Sequence, residues 1–316
     1  MLKSKSKVAI IGSGFVGASI AFAMTLQQTV NEIVLIDVDK KKAIGEAMDI
    51  NHGLSFMGQM SVYAGDYFDL KDCDVIIITA GVNRKPGETR LDLAKKNVSI
   101  AKSITSEIVK YYNHGVILVV SNPVDILTYM VQKWTGLPNG KVIGTGTVLD
   151  SIRFRYLLSE KLNVDVKNVH GYIIGEHGET QLPLWSATHI AGKGINEYCE
   201  SPESKFVEAD KAIIAEEVKK AGATIIKNKG ATYYAIAVTV ETIIETLLKS
   251  QNTIRTIGSV IDGPYGINDV AISLPSIINS EGVQEVLELN LTSEEESALM
   301  DSVEHVKAVL NEVKDI

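Results

Sequence analysis

Short apolar runs rich in β-branched side chains punctuate the first half of the chain, at residues 8–11, 33–36, 75–78 and 116–120. Between them lie longer stretches in which apolar positions recur every three or four residues, at 15–27, at about 40–48 and from near Thr89 onward. The first pattern predicts strands and the second helices, and their strict alternation predicts a parallel sheet. Uninterrupted apolar runs suit strands covered on both faces. Beyond Gly144 the regularity weakens. The pattern there predicts a helix at 148–162, a β-rich region at 169–174, helices at about 210–227 and 232–248, a β region at 253–274 and a charged helix from about 293 to the end. The expected fold class is α/β, with a Rossmann doubly wound parallel sheet at 1–144 and a second, α+β substrate domain at 145–316. No Pro-, Gly- or Ser-rich linker separates the halves, so the site is expected between them.

Composition narrows the function. With 316 residues, 45% hydrophobic and 22% charged, the chain belongs neither to disordered nor to fibrous classes. Lys plus Arg number 31 against 39 Asp plus Glu, a net charge of -8, which disfavours nucleic acid and anionic membrane as partners. An anionic ligand must then be captured by a few placed cations. Cys73 and Cys199 are the only cysteines and suggest neither a disulfide framework nor a metal site, so the expected home is the cytoplasm. Lys3, Lys5 and Lys7 before the apolar stretch 8–24 imitate a secretory leader. The glycines inside that stretch have a mechanical purpose of their own, and cleavage after Ala23 would remove the first strand.

Gly12-Ser13-Gly14-Phe15-Val16-Gly17 follows a predicted strand and opens a predicted helix, the context that gives a GxGxxG run its meaning. Gly12 permits a tight turn, Gly14 lets backbone approach a pyrophosphate, and Gly17 allows close helix–strand contact. The helix N-terminus offers N–H groups to phosphate. Asp37, 20 residues after Gly17 at the end of the second strand, suits an adenosine ribose and would repel a 2′-phosphate. The expected cofactor is NAD, although Lys40, Lys41 and Lys42 could soften that repulsion.

His177 lies in a glycine-flanked loop, Gly175-Glu176-His177-Gly178. A loop histidine alone is more often a surface residue. Asp150 and Arg153, however, sit three apart at the start of one predicted helix and share a face. A carboxylate holding an imidazole fixes its tautomer and raises its pKa, as proton transfer to an alkoxide requires. A neighbouring guanidinium can grip a carboxylate through two parallel hydrogen bonds.

Together these residues resemble the lactate/malate dehydrogenase family over essentially the whole chain. The likeness runs through Ile36-Asp37, Ser121-Asn122-Pro123-Val124-Asp125, Gly144-Thr145-Gly146-Thr147-Val148-Leu149-Asp150, the His177 loop and Lys229-Gly230-Ala231-Thr232-Tyr233. The resemblance implies His177 as acid/base, Asp150 as its partner, Arg153 as the clamp on the substrate carboxylate and Asn122 as a contact to substrate and nicotinamide. It implies that Arg90 polarises the carbonyl when a loop closes. Gly81, which also belongs to the expected cofactor set, Pro86 and Gly87 bracket a cationic segment after the predicted strand at 75–78 that suits such a lid.

Lactate-specific members of the family usually carry Gln where this chain has Arg84, and its malate dehydrogenases carry Arg. A second substrate carboxylate would pair with Arg84, and a site built around that cation could reject a methyl-bearing analogue by about 10⁴. The expectation is therefore hydride transfer between NAD and the L-malate/oxaloacetate pair, with L-lactate/pyruvate as the alternative. Thr232 looks like the lactate branch and pulls the other way. Arg155 and His170 match positions at which allosteric bacterial lactate dehydrogenases bind fructose 1,6-bisphosphate. The resemblance further implies a homotetramer or a dimer. A non-catalytic NAD-binding redox sensor is the competing class, and the joint presence of His177, Asp150, Arg153 and Arg90 speaks against it.

Overall fold

The computed structural model describes residues 6–83, 87–200 and 206–316. The nucleotide half runs β1 (Lys7–Ile11), α1 (Phe15–Gln27), β2 (Glu32–Ile36), α2 (Lys40–Gly53), β3 (Ser61–Ala64), β4 (Val75–Ile78), α3 (Arg90–Tyr111), β5 (Val116–Val119), α4 (Val124–Thr135) and β6 (Val142–Gly144). The remainder runs α5 (Val148–Leu162), β7 (Val169–His170), β8 (Ile173–Ile174), β9 (Leu182–Pro183), β10 (His189–Ile190), β11 (Lys193–Gly194), α6 (Ile195–Glu200), α7 (Glu208–Lys229) and α8 (Tyr234–Leu248). It closes with β12 (Thr253–Asp262), β13 (Asn268–Asn279), β14 (Gly282–Val286) and α9 (Ser293–Val313).

The first six strands are parallel in the order β6-β5-β4-β1-β2-β3, the doubly wound arrangement. Their side chains explain the uninterrupted apolar runs. Ala9, Ile11, Val34, Ile36, Ile76, Ile78, Ile117 and Val119 face one core with residues of α3, α4 and α9. Their neighbours Val8, Ile10, Ile33, Leu35, Val75, Ile77, Val116 and Leu118 face the other with residues of α1, α2 and α8. Every position along β4 and β5 is thus buried, and each large aliphatic contributes about 1.5–3 kcal/mol by leaving water. A third core, around Phe154, Leu158, Val169, Ile173, Phe206 and Val218, joins α5 and α7 to the small strands of the second half.

Several features depart from the pattern-based expectation. The sheet is mixed, because β12, β13 and β14 of the second half continue it antiparallel beyond β6, through Gly258 opposite Gly144. One sheet therefore crosses the expected division at residue 144. The β-rich region 169–174 breaks into β7 and β8, which join different small sheets. The break falls at Gly171, where a Cβ would lie 2.7 Å from the Phe154 ring. Helix α4 has no counterpart in the sequence reading, although its apolar side chains gather toward one face. Strands β3 and β6 escaped because one is partly exposed and the other has three residues.

Candidate active site

Helix α5 begins at Val148 and places Asp150 in its first turn, where the helix dipole favours a carboxylate. Arg153 follows one turn later, and its Nη1 donates to Asp150 Oδ1 at 3.1 Å. The other carboxylate oxygen, Oδ2, takes His177 Nδ1 at 2.6 Å. Asp150 has 2% of its side chain exposed and His177 27%, so the ring is reachable from solvent while its partner is not.

The loop carrying His177 is tied down one backbone N–H at a time. Gly175, at φ +88°, exchanges hydrogen bonds with Ser273 of β13 at 2.9 and 3.1 Å. The N–H of Glu176 donates to Ser302 Oγ of α9 at 2.8 Å, and that of His177 to Asp125 Oδ2 of α4 at 2.8 Å. The N–H of Gly178 turns back to the Glu176 carbonyl at 3.0 Å. The loop is also registered against α5, because Ile173 N–H donates to Ser151 Oγ at 2.9 Å and the Thr147 hydroxyl donates to the Ile173 carbonyl at 2.5 Å. Asp125, Ser273 and Ser302 were not identified from the sequence as site residues. Only Asp125 carried a signal, in the Asn-Pro-Val-Asp run.

Electrostatics follow from this geometry. The Asp150 charge raises the His177 imidazole to about 9, against a burial cost that pulls it down. Burial pushes Asp150 upward, but His177 and Arg153 together outweigh it and hold the carboxyl below its usual range.

At the end of β1, Gly12 turns at φ +109° with its N–H on the Ile36 carbonyl at 2.7 Å. A Cβ there would lie 2.7 Å from Ala80 N, and one on Gly17 only 1.9 Å from the Gly12 carbonyl oxygen. Gly14, by contrast, faces open space. Helix α1 starts directly after it with no side-chain cap and no acidic residue in its first turn, which leaves N–H groups for phosphate. Ser13 Oγ is buried and finds no partner among the described residues. Asp37, just past β2, accepts from Ser13 N–H at 2.6 Å and Asp39 N–H at 2.9 Å, so its charge is fixed beside the turn. An open glycine face, an uncapped helix and an orphaned hydroxyl beside a fixed carboxylate fit an NAD pyrophosphate and ribose. Phe15 stands 72% exposed at the start of α1, stacked on Tyr233 with centroids 5.5 Å apart, and Val16 packs inward against the α1 side of the sheet.

The remaining predicted residues are placed as follows. Arg90 opens α3, capped by the reciprocal Thr89–Asp92 pair, and its guanidinium engages Glu179 two residues beyond His177. Asn122 is exposed after β5, with its carbonyl accepting from Asn97 Nδ2 at 2.6 Å. The same Asn97 side chain holds both the N–H and the carbonyl of Val82, next to Gly81. Thr232 is half-buried between α7 and α8. Arg155 reaches the Val166 carbonyl at 3.4 Å, and His170 is exposed on β7. Arg84 lies outside the described residues.

Comparison with known proteins decides the family. Residues 6–144 match the lactate/malate dehydrogenase NAD binding domain, and residues 147–316 the lactate/malate dehydrogenase alpha/beta C-terminal domain. The chain belongs to the lactate/malate dehydrogenase family. As a member it is an NAD-dependent 2-hydroxy-acid dehydrogenase, which removes the non-catalytic sensor from consideration. The L-lactate dehydrogenase of Thermoanaerobacterium saccharolyticum is 52% identical over 308 residues, 98% of each chain. The L-lactate dehydrogenase 1 of Clostridium acetobutylicum is 48% identical over 312 residues, 99% of this chain and 100% of its own. Among solved structures, the L-lactate dehydrogenase from Clostridium thermocellum aligns with a TM-score of 0.88 at 74% identity, over 98% of this chain and 100% of its own. The minor L-lactate dehydrogenase from Enterococcus mundtii in its ligands-bound form aligns at 0.95 with 43% identity, over 98% and 99%.

These relatives overturn the expectation of L-malate and oxaloacetate as the substrate pair. That expectation rested on Arg84 as a buried discriminator. A lone cation does not by itself fix the substrate, and the whole chain aligns with L-lactate dehydrogenases.

Proposed function

We propose that this chain interconverts pyruvate and L-lactate with NADH and NAD. The reading is carried by the His177–Asp150–Arg153 cluster, in a chain whose relatives at 46–52% identity are named L-lactate dehydrogenases. His177 Nδ1–H donates to Asp150, which leaves Nε2 to exchange the proton with the substrate oxygen. An imidazole held at about 9 is protonated at neutral pH, the form that pyruvate reduction needs. Arg153, kept in place by Asp150, receives the pyruvate carboxylate through its remaining donors. Arg90 leaves Glu179 to polarise the carbonyl, while Asn122 and Thr232 border the substrate. Gly12, Gly14, Phe15, Val16, Gly17, Asp37, Gly81 and Asn122 hold the cofactor, and the reduced nicotinamide, when bound, supplies the hydride for C2. NADH oxidation measured in parallel tests the reading. It expects a higher kcat/KM for pyruvate than for oxaloacetate, and the reverse order overturns it.

Control by a phosphate-bearing effector at Arg155 and His170 is the second part of the proposal. Arg155 Nε is buried without a partner among the described residues. Burial, and then the charge of Arg155, pull the Arg255 guanidinium below its usual pKa. Two cations that oppose each other in this way gain from an anion between them. Fructose 1,6-bisphosphate is expected to lower KM for pyruvate in the native chain and not in Arg155→Gln; no response in the native chain removes this part.

A further inference from the structure

Of the four successive N–H groups in the loop 175–178, three are captured by neutral oxygens, of Ser273, Ser302 and the loop itself. The N–H of His177 alone goes to a carboxylate, Asp125 Oδ2. Asp125 is 3% exposed, in the first turn of α4, and its Oδ1 is buried without a partner among the described residues. A buried carboxylate with one idle oxygen is costly, and an amide or hydroxyl would accept the same N–H at less cost. The charge therefore needs a beneficiary. The cationic form of His177, whose own backbone Asp125 holds, gains from it.

We infer that Asp125 is a second carboxylate for His177: it fixes the histidine's main chain and, as an anion, supports the imidazolium alongside Asp150. The inference rests on His177 being the acid/base. Asp125 is faced by His177 and Glu176 from the loop and by Asp150 from α5. Arg153 of α5 opposes the charge on His177, and His305 of α9 reaches Glu176 at 3.6 Å. Burial pushes the Asp125 carboxyl up to about 7, against the His177 N–H and its positive charge, which pull it down. Asp125 is therefore anionic through the range where His177 deprotonates, and its support fades as pH falls below neutrality.

The test compares native chain, Asp125→Asn and His177→Asn in pyruvate reduction by NADH from pH 6 to 10. In Asp125→Asn the alkaline limb of kcat/KM is expected to move down by about half a pH unit or more. The deficit against the native chain should widen above pH 7 and level off below it. A limb that stays in place, with His177→Asn inactive, overturns this inference alone. An active His177→Asn overturns both this inference and the acid/base assignment. A second measurement needs no variant and no turnover: the Cε1 resonance of His177, in native chain labelled at histidine, should titrate with a second, smaller inflection near pH 7 from Asp125. A single inflection overturns the inference.

Discussion

The guanidinium of Arg90 is held by the carboxylate of Glu179, two residues beyond His177, and Glu179 is also 3.9 Å from Lys219 of α7. The Arg90 and Glu179 side chains are 63% and 49% exposed, so this pair is worth less than about 1 kcal/mol. Arg90 can leave it at little cost. Steady-state kinetics should therefore separate the two residues. Glu179→Gln is expected to change kcat/KM for pyruvate by less than about fivefold, whereas Arg90→Gln lowers kcat by about 10²–10³. An equally severe loss in Glu179→Gln would place the ion pair itself in the machinery.

Asp150 gives His177 its raised pKa, so the pH profile should follow that carboxylate. Pyruvate reduction by the native chain is expected to fall as pH rises through about 9, because His177 loses its proton there. Lactate oxidation, which needs the neutral ring, should rise over the same interval. In Asp150→Asn the limb moves toward the ordinary histidine value and kcat/KM drops by about 10²–10⁴. An unmoved limb would mean that Asp150 does not set the protonation of His177.

Arg153 has 15% of its side chain exposed and already spends one donor on Asp150. Lysine keeps the charge but cannot make two parallel bonds. Arg153→Lys should raise KM for pyruvate and lower kcat/KM by about 10²–10³, leaving NADH affinity, measured by fluorescence quenching, within about twofold. Loss of NADH binding in this variant would contradict a role confined to the substrate.

Gly17→Ala directs a methyl to within 1.9 Å of the Gly12 carbonyl oxygen, backbone that cannot swing aside. The β1–α1 turn must open, at a cost of about 1–3 kcal/mol. A lower melting temperature together with weaker NADH binding is expected. Gly14→Ala, with open space before it, should keep its melting temperature and lose only cofactor affinity. Equal melting temperatures for the two variants would contradict the close approach at Gly17.

Much of this was legible in the order of residues. The central strands declared themselves because both faces are covered, so that Val75, Ile76, Ile77 and Ile78 are all apolar. Helix α5 was readable over its full span, and the three-residue spacing of Asp150 and Arg153 sufficed to put both on one face. The substrate was misread for a physical reason. A single charged residue announces its chemistry, but its discriminating power depends on how much water reaches it, which the order of residues does not record.

The sequence by itself determined what depends on near neighbours: the strand segments, the glycine turn at the head of α1 and the start of α3 near Thr89 that carries Arg90. Tertiary structure alone decided what brings distant residues together. His177 meets Asp150 across 27 positions, Asp125 across 52 and, through Glu176, Ser302 across 126. Periodicity reports whether a residue is buried and on which side, since that repeats along the chain. Which oxygen receives the N–H of His177 repeats nowhere; it is set only when α4, α5, β13 and α9 pack around one loop.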